Sequence, residues 1–216
     1  MSIQCTIVPV TRYQQNCSII KCEATGNAAI VDPGGDVERI LAAVAQMQAS
    51  VEKIILTHAH MDHCAAADVL RQQLQVPIEG PHLEDDFWLQ KLPQSCERSG
   101  FPPAQVFVPD RWLQQGDRVT VGTQELQVFH CPGHTPGHVV FFYEAQNVAW
   151  VGDVIFQGSI GRTDFPRGNH EELIASIREK LFPLGDDITF VPGHGPTSTF
   201  GHERQTNPFV ADSRYG

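Results

Sequence analysis

The sequence has no excess of basic residues, no long apolar run and no export signal. Its 216 residues carry a formal net charge of −10, with 15 Lys and Arg against 25 Asp and Glu. Binding nucleic acid requires a basic face that neutralises phosphates, so this charge argues against such a partner. No stretch approaches the ~18 apolar residues that cross a bilayer, and the N-terminus lacks the basic start and apolar run of a signal peptide. These absences predict a cytoplasmic protein with neither a nucleic-acid partner nor a membrane partner.

The sequence also lacks paired cysteines, repeats and linkers. None of the six cysteines forms a C-x-x-C pair, and without an export signal we expect reduced thiols that are buried as small hydrophobic side chains. There is no repeat of fixed period, no low-complexity run and no Ser/Gly linker. The length suits one hydrophobic core, so we predict a single domain over residues 1–216.

Short apolar runs and helical periodicities alternate along the chain. Near the N-terminus, CTIVPV, NCSIIKC and NAAIVDP predict a β-meander. Later strands are predicted at 51–56, 76–80, 118–121, 124–130, 139–143, 148–151 and 187–191. Helices are predicted at 37–48, with Asp36 as the N-cap, and at 64–74, 84–98, 170–181 and 198–209.

This order gives two halves, each a meander followed by helix, strand and helix. A sheet covered by helices on one face buries its other face by packing on a second such sheet. The sequence therefore predicts an α/β (α+β) fold, a four-layer αβ/βα sandwich. Loops at one end of the two inner sheets are expected to meet in a shared cleft.

The most informative segment is the run THAHMDH at residues 57–63, which follows a predicted buried strand. It places His58, His60, Asp62 and His63 within six positions. A strand would send alternate side chains to opposite faces, whereas a loop can turn all four toward one point. Imidazole and carboxylate are ligands for Zn²⁺, with iron and manganese as alternatives. Since one tetrahedral ion with an open position needs fewer ligands, the run suggests two ions.

Three further residues of this kind follow other predicted strands. His134 stands in CPGHTPGH, Asp153 ends VGD, and His194 stands in PGHG. Glycine and proline force turns at these strand ends, so four separate loops present metal-type ligands. Other histidines are expected to be surface or packing residues; these are His82, His130, His138, His170 and His202.

The motifs HAHMDH, CPGHTPGH, VGD and PGHG, in this order, resemble those of the metallo-β-lactamase-fold superfamily. The resemblance covers nearly the whole chain. Within the superfamily, VDPGGD, GRTDFPRG and PGHGPTSTFGHERQTNPF are similar to segments of small bacterial hydroxyacylglutathione hydrolase-like (glyoxalase II-like) proteins. The resemblance implies the metallo-β-lactamase fold and hydrolysis of a thioester such as S-lactoylglutathione.

The resemblance also implies a site for two divalent metal ions, with zinc expected. The implied ligands are His58, His60 and His134 for the first ion, Asp62, His63 and His194 for the second, and Asp153 as a bridge between them. Asp32, in VDPGG, resembles an aspartate that braces the metal loop by fixing imidazole orientation. The alternative is that Asp32-Pro33-Gly34 is simply a turn.

The chemistry expected of such a site is attack by an activated water on a carbonyl carbon. Bound cations lower the pKa of a water from about 15.7 to about 7, so hydroxide exists at neutral pH. Asp62 is the expected catalytic residue, orienting this hydroxide while also binding metal. A thiol has a pKa of about 8.5, so a thiolate leaves without a strong general acid.

The narrower resemblance leaves the substrate open. Larger glyoxalase II enzymes carry a C-terminal extension that contacts glutathione, whereas only 22 residues follow His194 here. Arg162 and Arg167 are candidates for binding an anionic substrate, or for internal ion pairs, for instance with Asp164.

Two other functions remain open alongside hydrolysis. The first is a persulfide dioxygenase with one iron held by His58, His134 and Asp153, which the segment GRTDF resembles. The second is an inactive metal-binding module. The oligomeric state is not predicted.

Overall fold

The structure is a computed structural model that describes residues 2–215, and it contains two large β-sheets. The first sheet has five strands. In spatial order they are β1 (Ile3–Val10), β2 (Gln15–Cys22), β3 (Asn27–Val31), β4 (Ser50–Ile55) and β5 (Ile78–Glu79). β1, β2 and β3 are antiparallel, as the predicted meander requires, and β3, β4 and β5 are parallel.

The second sheet has six strands. From one edge of the sheet to the other they are β6 (Arg118–Val121), β7 (Gln124–His130), β8 (Val139–Tyr143), β9 (Val148–Gly152), β12 (Thr189–Pro192) and β13 (Ser198–Thr199). β10 (Ile155–Phe156) and β11 (Ser159–Ile160) form a separate hairpin. β8 is antiparallel to both β7 and β9, and β12 is parallel to β9. The carboxyl ends of β7, β9 and β12 therefore share one edge of the sheet.

Eight α-helices lie among these strands in residues 2–215. They are α1 (Val37–Gln46), α2 (Met61–Cys64), α3 (Ala67–Leu74), α4 (Asp86–Gln90), α5 (Leu92–Arg98), α6 (His170–Ala175), α7 (Phe200–Thr206) and α8 (Asp212–Tyr215), and a π-helical turn at Ser176–Leu181 continues α6. No helix of the described chain is long and apolar enough to span a bilayer.

Three apolar clusters show how the layers pack. One lies between the two sheets and joins Val31 and Ile55 to Phe141 and Trp150. The second packs the outer face of the first sheet against α1 and α3, and the third packs the outer face of the second sheet against α6 and the turn that follows it. The predicted four-layer αβ/βα sandwich is confirmed.

Three helix predictions differ from the structure. The helix predicted over 84–98 is broken at Lys91, because Pro93 stands in the first turn of α5 and has no N–H to continue α4. The helix predicted over 64–74 is interrupted because the Ala66 N–H donates to the Pro33 carbonyl at 3.1 Å. Asp36 precedes α1 but does not cap it, since its carboxylate accepts instead from the Thr11 N–H at 2.8 Å.

The tail and the cysteines also differ from expectation in part. Residues 198–209 do not form one helix, because Ser198–Thr199 pair with β12 as β13 before the Thr199 hydroxyl oxygen caps α7. All six cysteines are free thiols, and five are buried as predicted. Cys5 is exposed, so its predicted burial is wrong; it lies on β1, one of the two edge strands of the first sheet.

Candidate metal centre

The segment of residues 57–63 follows β4 as a loop and enters α2 at Met61, so Asp62 and His63 lie in the first turn of that helix. The residues predicted to join it follow β7, β9 and β12. The structure gathers all of them at one end of the two sheets. Three groups have ligand-type atoms within 4.8 Å of one another: Asp32, His58 and His63; His58, His60 and His134; and Asp62, His63 and His194. The last two are the ligand sets that the resemblance implied, so the fold brings together the residues that the sequence singled out.

Asp153 lies between the two groups and contacts both of them. One oxygen, Oδ1, is 3.4 Å from His63 Nε2. The other, Oδ2, is 3.5 Å from His134 Nε2 and 3.7 Å from His194 Nε2. Oδ2 thus contacts a histidine of each group and Oδ1 a further histidine of the second group, so the carboxylate lies between the two groups, as a bridging ligand must.

Four imidazoles share one orientation. In each, Nδ1 contacts an oxygen outside the cluster: the Thr57 hydroxyl for His58 at 3.0 Å, Asp32 for His63 at 2.9 Å, the Arg162 carbonyl for His134 at 2.7 Å and the Tyr13 carbonyl for His194 at 3.1 Å. These contacts suit a proton on Nδ1 and turn Nε2 toward the cluster. His60 is the exception, because its Nδ1 faces His134 Nε2 at 3.0 Å. At His63, burial is outweighed by Asp153 and Asp62, which raise the pKa of the ring, so a metal ion bound there would displace a proton from Nε2.

Asp32 makes the contacts that a bracing role needs. Its carboxylate accepts from the Thr57 N–H at 2.7 Å and from the Thr57 hydroxyl at 2.6 Å, as well as contacting His63. The Thr57 hydroxyl oxygen in turn accepts a hydrogen bond from His58 Nδ1. One buried carboxylate thus orients a histidine of each ligand group. Gly34, two residues further on, allows the Asp32 turn to approach the backbone of Asp62, because a Cβ there would lie 1.6 Å from the Asp62 carbonyl oxygen.

The donor set fits divalent metal ions. Two Nε2 atoms, those of His58 and His63, and Oδ1 of Asp153 are buried without a hydrogen-bond partner among the described residues. Buried polar atoms without a partner are costly, and bound cations would supply one to all three. Burial lowers the pKa of His60 to about 3, and burial together with neighbouring histidines lowers that of His58. Both rings are therefore neutral and able to donate a lone pair.

Charge balance in the cluster favours ionised carboxylates. Burial opposes ionisation of Asp153, but His63 and His134 outweigh this effect and hold its pKa well below the usual range. The pKa of Asp62 is also lowered, because His63 and His194 overcome its burial. Asp62 Oδ2 lies 3.2 Å from His194 Nε2. Both carboxylates are thus anions at neutral pH and suit a cation.

Asp85 is a site residue that sequence reasoning missed. It is fully buried and accepts from the Ala59 N–H at 3.0 Å, the Thr135 hydroxyl at 2.9 Å and the Gly137 N–H at 2.6 Å. Burial raises its pKa to about 7, although these three donors act in the opposite direction. Asp85 therefore ties the 57–63 loop to the loop that carries His134. Its segment, HLEDDF, reads as an ordinary acidic helix start and gave no signal.

Replacing Asp85 with asparagine is expected to loosen this tie. The amide group can accept at one atom only, so at least one buried donor loses its partner, which destabilises by about 1–3 kcal/mol. We expect a lower free energy of unfolding and weaker metal retention, measured by denaturant titration and elemental analysis. Asp86→Asn, at the neighbouring and partly exposed position, is the control. Unchanged stability and metal content in Asp85→Asn would contradict the tie.

A cavity of about 830 Å³ opens above the cluster, with His60, Asp62, His134, Asp153 and His194 on its surface. Trp88 and Phe165 flank His60, with ring centroids at 4.7 and 4.8 Å. An apolar pocket with a few convergent polar groups is typical of a small-molecule site. The cluster therefore lies where a substrate can reach it.

The two arginine candidates lie in different surroundings. Arg162 lines the cavity, but its guanidinium makes a two-point ion pair with Asp164, at 3.0 and 2.8 Å. Arg167 is outside the cavity lining; it pairs with Glu84 and lies over the Phe87 ring at 4.9 Å. These contacts match the internal ion pairs that the sequence left as the alternative to substrate binding.

Of the remaining histidines, His138 packs directly against the centre. It is buried, stacks on His58 with centroids 4.6 Å apart, and accepts from the Asp153 N–H at 3.0 Å. His82 and His130 stack on each other at 4.3 Å away from the cluster. The packing role expected of His138 thus includes holding the backbone of the bridging aspartate.

Comparison with known proteins agrees with this fold and centre. The model of the metallo-beta-lactamase superfamily matches residues 10–194. Hydroxyacylglutathione hydrolase GloC of Haemophilus influenzae is 46% identical over 205 residues, covering 94% of this chain and 96% of GloC. The structure of BLEG-1, a B3 metallo-beta-lactamase, has a TM-score of 0.88 and 37% identity, covering 96% of this chain and 99% of that one. TTHA1623 in a di-iron-bound form has a TM-score of 0.86 and 33% identity, covering 95% and 100%.

The fold and the His/Asp clusters together define a metal-dependent hydrolase. The chain belongs to the metallo-β-lactamase superfamily. The predicted family and fold are confirmed, and the narrower resemblance agrees with the similarity to GloC.

Proposed function

We propose that this protein hydrolyses a thioester, such as S-lactoylglutathione, with two divalent metal ions at the cluster. The observation that carries this proposal is the position of Asp153, whose carboxylate contacts histidines of both ligand groups and lies on the surface of the cavity. The similarity to GloC supports the substrate class. We propose zinc as the ion, while the di-iron form of TTHA1623 makes iron the first alternative.

In this proposal the residues divide the work. His58, His60 and His134 would hold one ion, Asp62, His63 and His194 would hold the other, and Asp153 lies where it would contact both. Such ions, when bound, lower the pKa of a water and polarise a carbonyl group. Asp62 lines the cavity as an anion. It orients the attacking water by accepting a hydrogen bond from it. Asp32 and Thr57 hold two of the histidines in the orientation that this requires.

Thiolate departure fits the same site. A free thiol has a pKa of about 8.5, so the leaving sulfur needs no strong acid beside it. The apolar rings of Trp88 and Phe165 next to His60 exclude bulk water from one side of the reacting carbonyl. The substrate is therefore a small molecule, and the predicted cytoplasmic location would supply glutathione conjugates.

The direct test is release of thiol from S-lactoylglutathione, followed with a thiol reagent. We expect hydrolysis by the metal-loaded protein and none after chelation, with activity returning when zinc is added. A lactone and a β-lactam are tested as further substrates. The β-lactam is included because BLEG-1 is named as a B3 metallo-beta-lactamase. Turnover of the β-lactam without thioester turnover would reject the proposed substrate class. One iron with oxygen uptake on glutathione persulfide would favour the dioxygenase instead.

A further inference from the structure

One side of α5 forms a polar wall of the cavity. Gln94, Ser95 and Arg98 of α5 line it, together with Lys91 at the N-cap position, whose carbonyl accepts from the Ser95 N–H at 2.9 Å. Their spacing of three or four residues places them on one face of the helix. This wall bears two cationic side chains in a protein whose net charge is −10, and the metal centre does not use it.

The charges of this wall have no ion-pair partner. Three cationic side chains line the cavity, and Arg162 among them is paired with Asp164. Over residues 2–215 no carboxylate lies within 4.0 Å of the Lys91 ammonium or the Arg98 guanidinium, the nearby Glu97 included. The Lys91 ammonium lies 5.5 Å from the Phe87 ring centroid. Both cations are therefore available to an anionic ligand.

The size of the cavity indicates which part of a substrate reaches α5. A short acyl group fills only a small part of about 830 Å³, and its carbonyl must lie at the His/Asp cluster. The rest of the space belongs to the thiol portion. Lys91 and Arg98 are seven residues apart, about 10 Å along a helix, and an extended peptide of three residues spans about 10 Å.

We propose that Lys91 and Arg98 form a subsite for the two carboxylates of a short peptide thiol, the leaving group of the thioester. This inference rests on the proposed function and specifies its substrate. Gln94 and Ser95, between the two cations, supply hydrogen bonds to the peptide groups. A thioester of an uncharged thiol gains nothing from this wall.

The test separates binding from turnover. S-methylglutathione, an unreactive thioether, is titrated by calorimetry into the metal-loaded wild type and into Lys91→Gln, Arg98→Gln and the double variant. Exposed charge pairs are weak individually, so we expect affinity to fall about three-fold for each single variant and about ten-fold for the double variant. The diethyl ester of the same thioether should bind all four proteins equally. Arg39→Gln removes an exposed arginine outside the cavity and is the matched control.

Steady-state kinetics give the second measurement. With S-lactoylglutathione the double variant should raise KM about ten-fold with little change in kcat, and KM for an uncharged thioester should stay constant. If the wild type turns over thioesters and the double variant binds S-methylglutathione unchanged, the subsite is rejected and the proposed function stands. If no thioester is hydrolysed but binding weakens as expected, the proposed function fails and the subsite stands. Absence of measurable binding to the wild type at millimolar thioether also rejects the subsite.

Discussion

Replacing Asp62 with alanine should reduce thioester hydrolysis by at least about 10²–10³-fold, a loss typical of removing one stabilising group in an active site. Asp62 is the one carboxylate of the second ligand group, and its Oδ2 lies 3.2 Å from His194 Nε2. Its removal takes away both a metal ligand and the group that orients the attacking water. We expect the metal content to fall from two equivalents toward one, because the first group keeps its three histidines.

The asparagine variant separates these two roles. Asp62→Asn keeps an oxygen ligand of the same shape but lacks the negative charge, so it should retain more metal than Asp62→Ala while hydrolysis stays low. Asp187→Ala is the control, since Asp187 is exposed and precedes β12 at the end opposite His194. Wild-type rates in Asp62→Ala, measured with S-lactoylglutathione and a thiol reagent, would remove Asp62 from the mechanism.

Gly193→Ala should disrupt the centre without altering a single ligand. An added Cβ would lie 2.2 Å from Asp153 Oδ1 and 2.6 Å from His63 Cε1. The backbone cannot retreat easily, because the Gly193 N–H donates to Gly152 at 2.7 Å and its carbonyl accepts from Asn16 at 2.7 Å. The Asp153 carboxylate must therefore move, and we expect activity to fall at least about 10²-fold, since displacing a reacting group by 1 Å has effects of that size.

The matched control is Gly195→Ala, two residues further along the same loop. Nothing lies within 4 Å of a Cβ at Gly195, although its φ of +78° makes any side chain unfavourable there. This variant reports backbone strain alone, and it should lose some stability while retaining metal. Equal metal loss in both variants, measured by elemental analysis, would attribute the effect of Gly193→Ala to strain and not to the contact with Asp153.

Much of the centre was predictable because its ligands are local signals at strand ends. The histidines of the 57–63 run follow β4 of the first sheet. His134 and His194 stand beside glycine and proline in loops that the parallel directions of β7 and β12 bring to one edge of the second sheet. The strand positions followed from apolar runs. Asp32 was recognisable from its motif. Only the structure shows that it contacts His63 directly and reaches His58 through the Thr57 hydroxyl.

Other parts of the site carry no signal in a single sequence. Asp85 joins two loops that are distant from it along the chain, so its role depends on long-range contacts. The wall formed by α5 was hidden because the pattern over 84–98 suggested one continuous helix, whereas the break at Lys91 separates α4 from α5. The hairpin of β10 and β11, which places Phe156 and Ile160 on the cavity, is only two residues per strand and has no periodicity to detect.

Elemental analysis of the purified protein, expressed as metal equivalents per chain, tests the central claim most directly. The two ligand groups joined by Asp153 predict two equivalents that survive dialysis, and one equivalent in a His194→Ala variant. A wild-type protein that retains one equivalent or none when divalent metal is supplied would contradict the dinuclear centre.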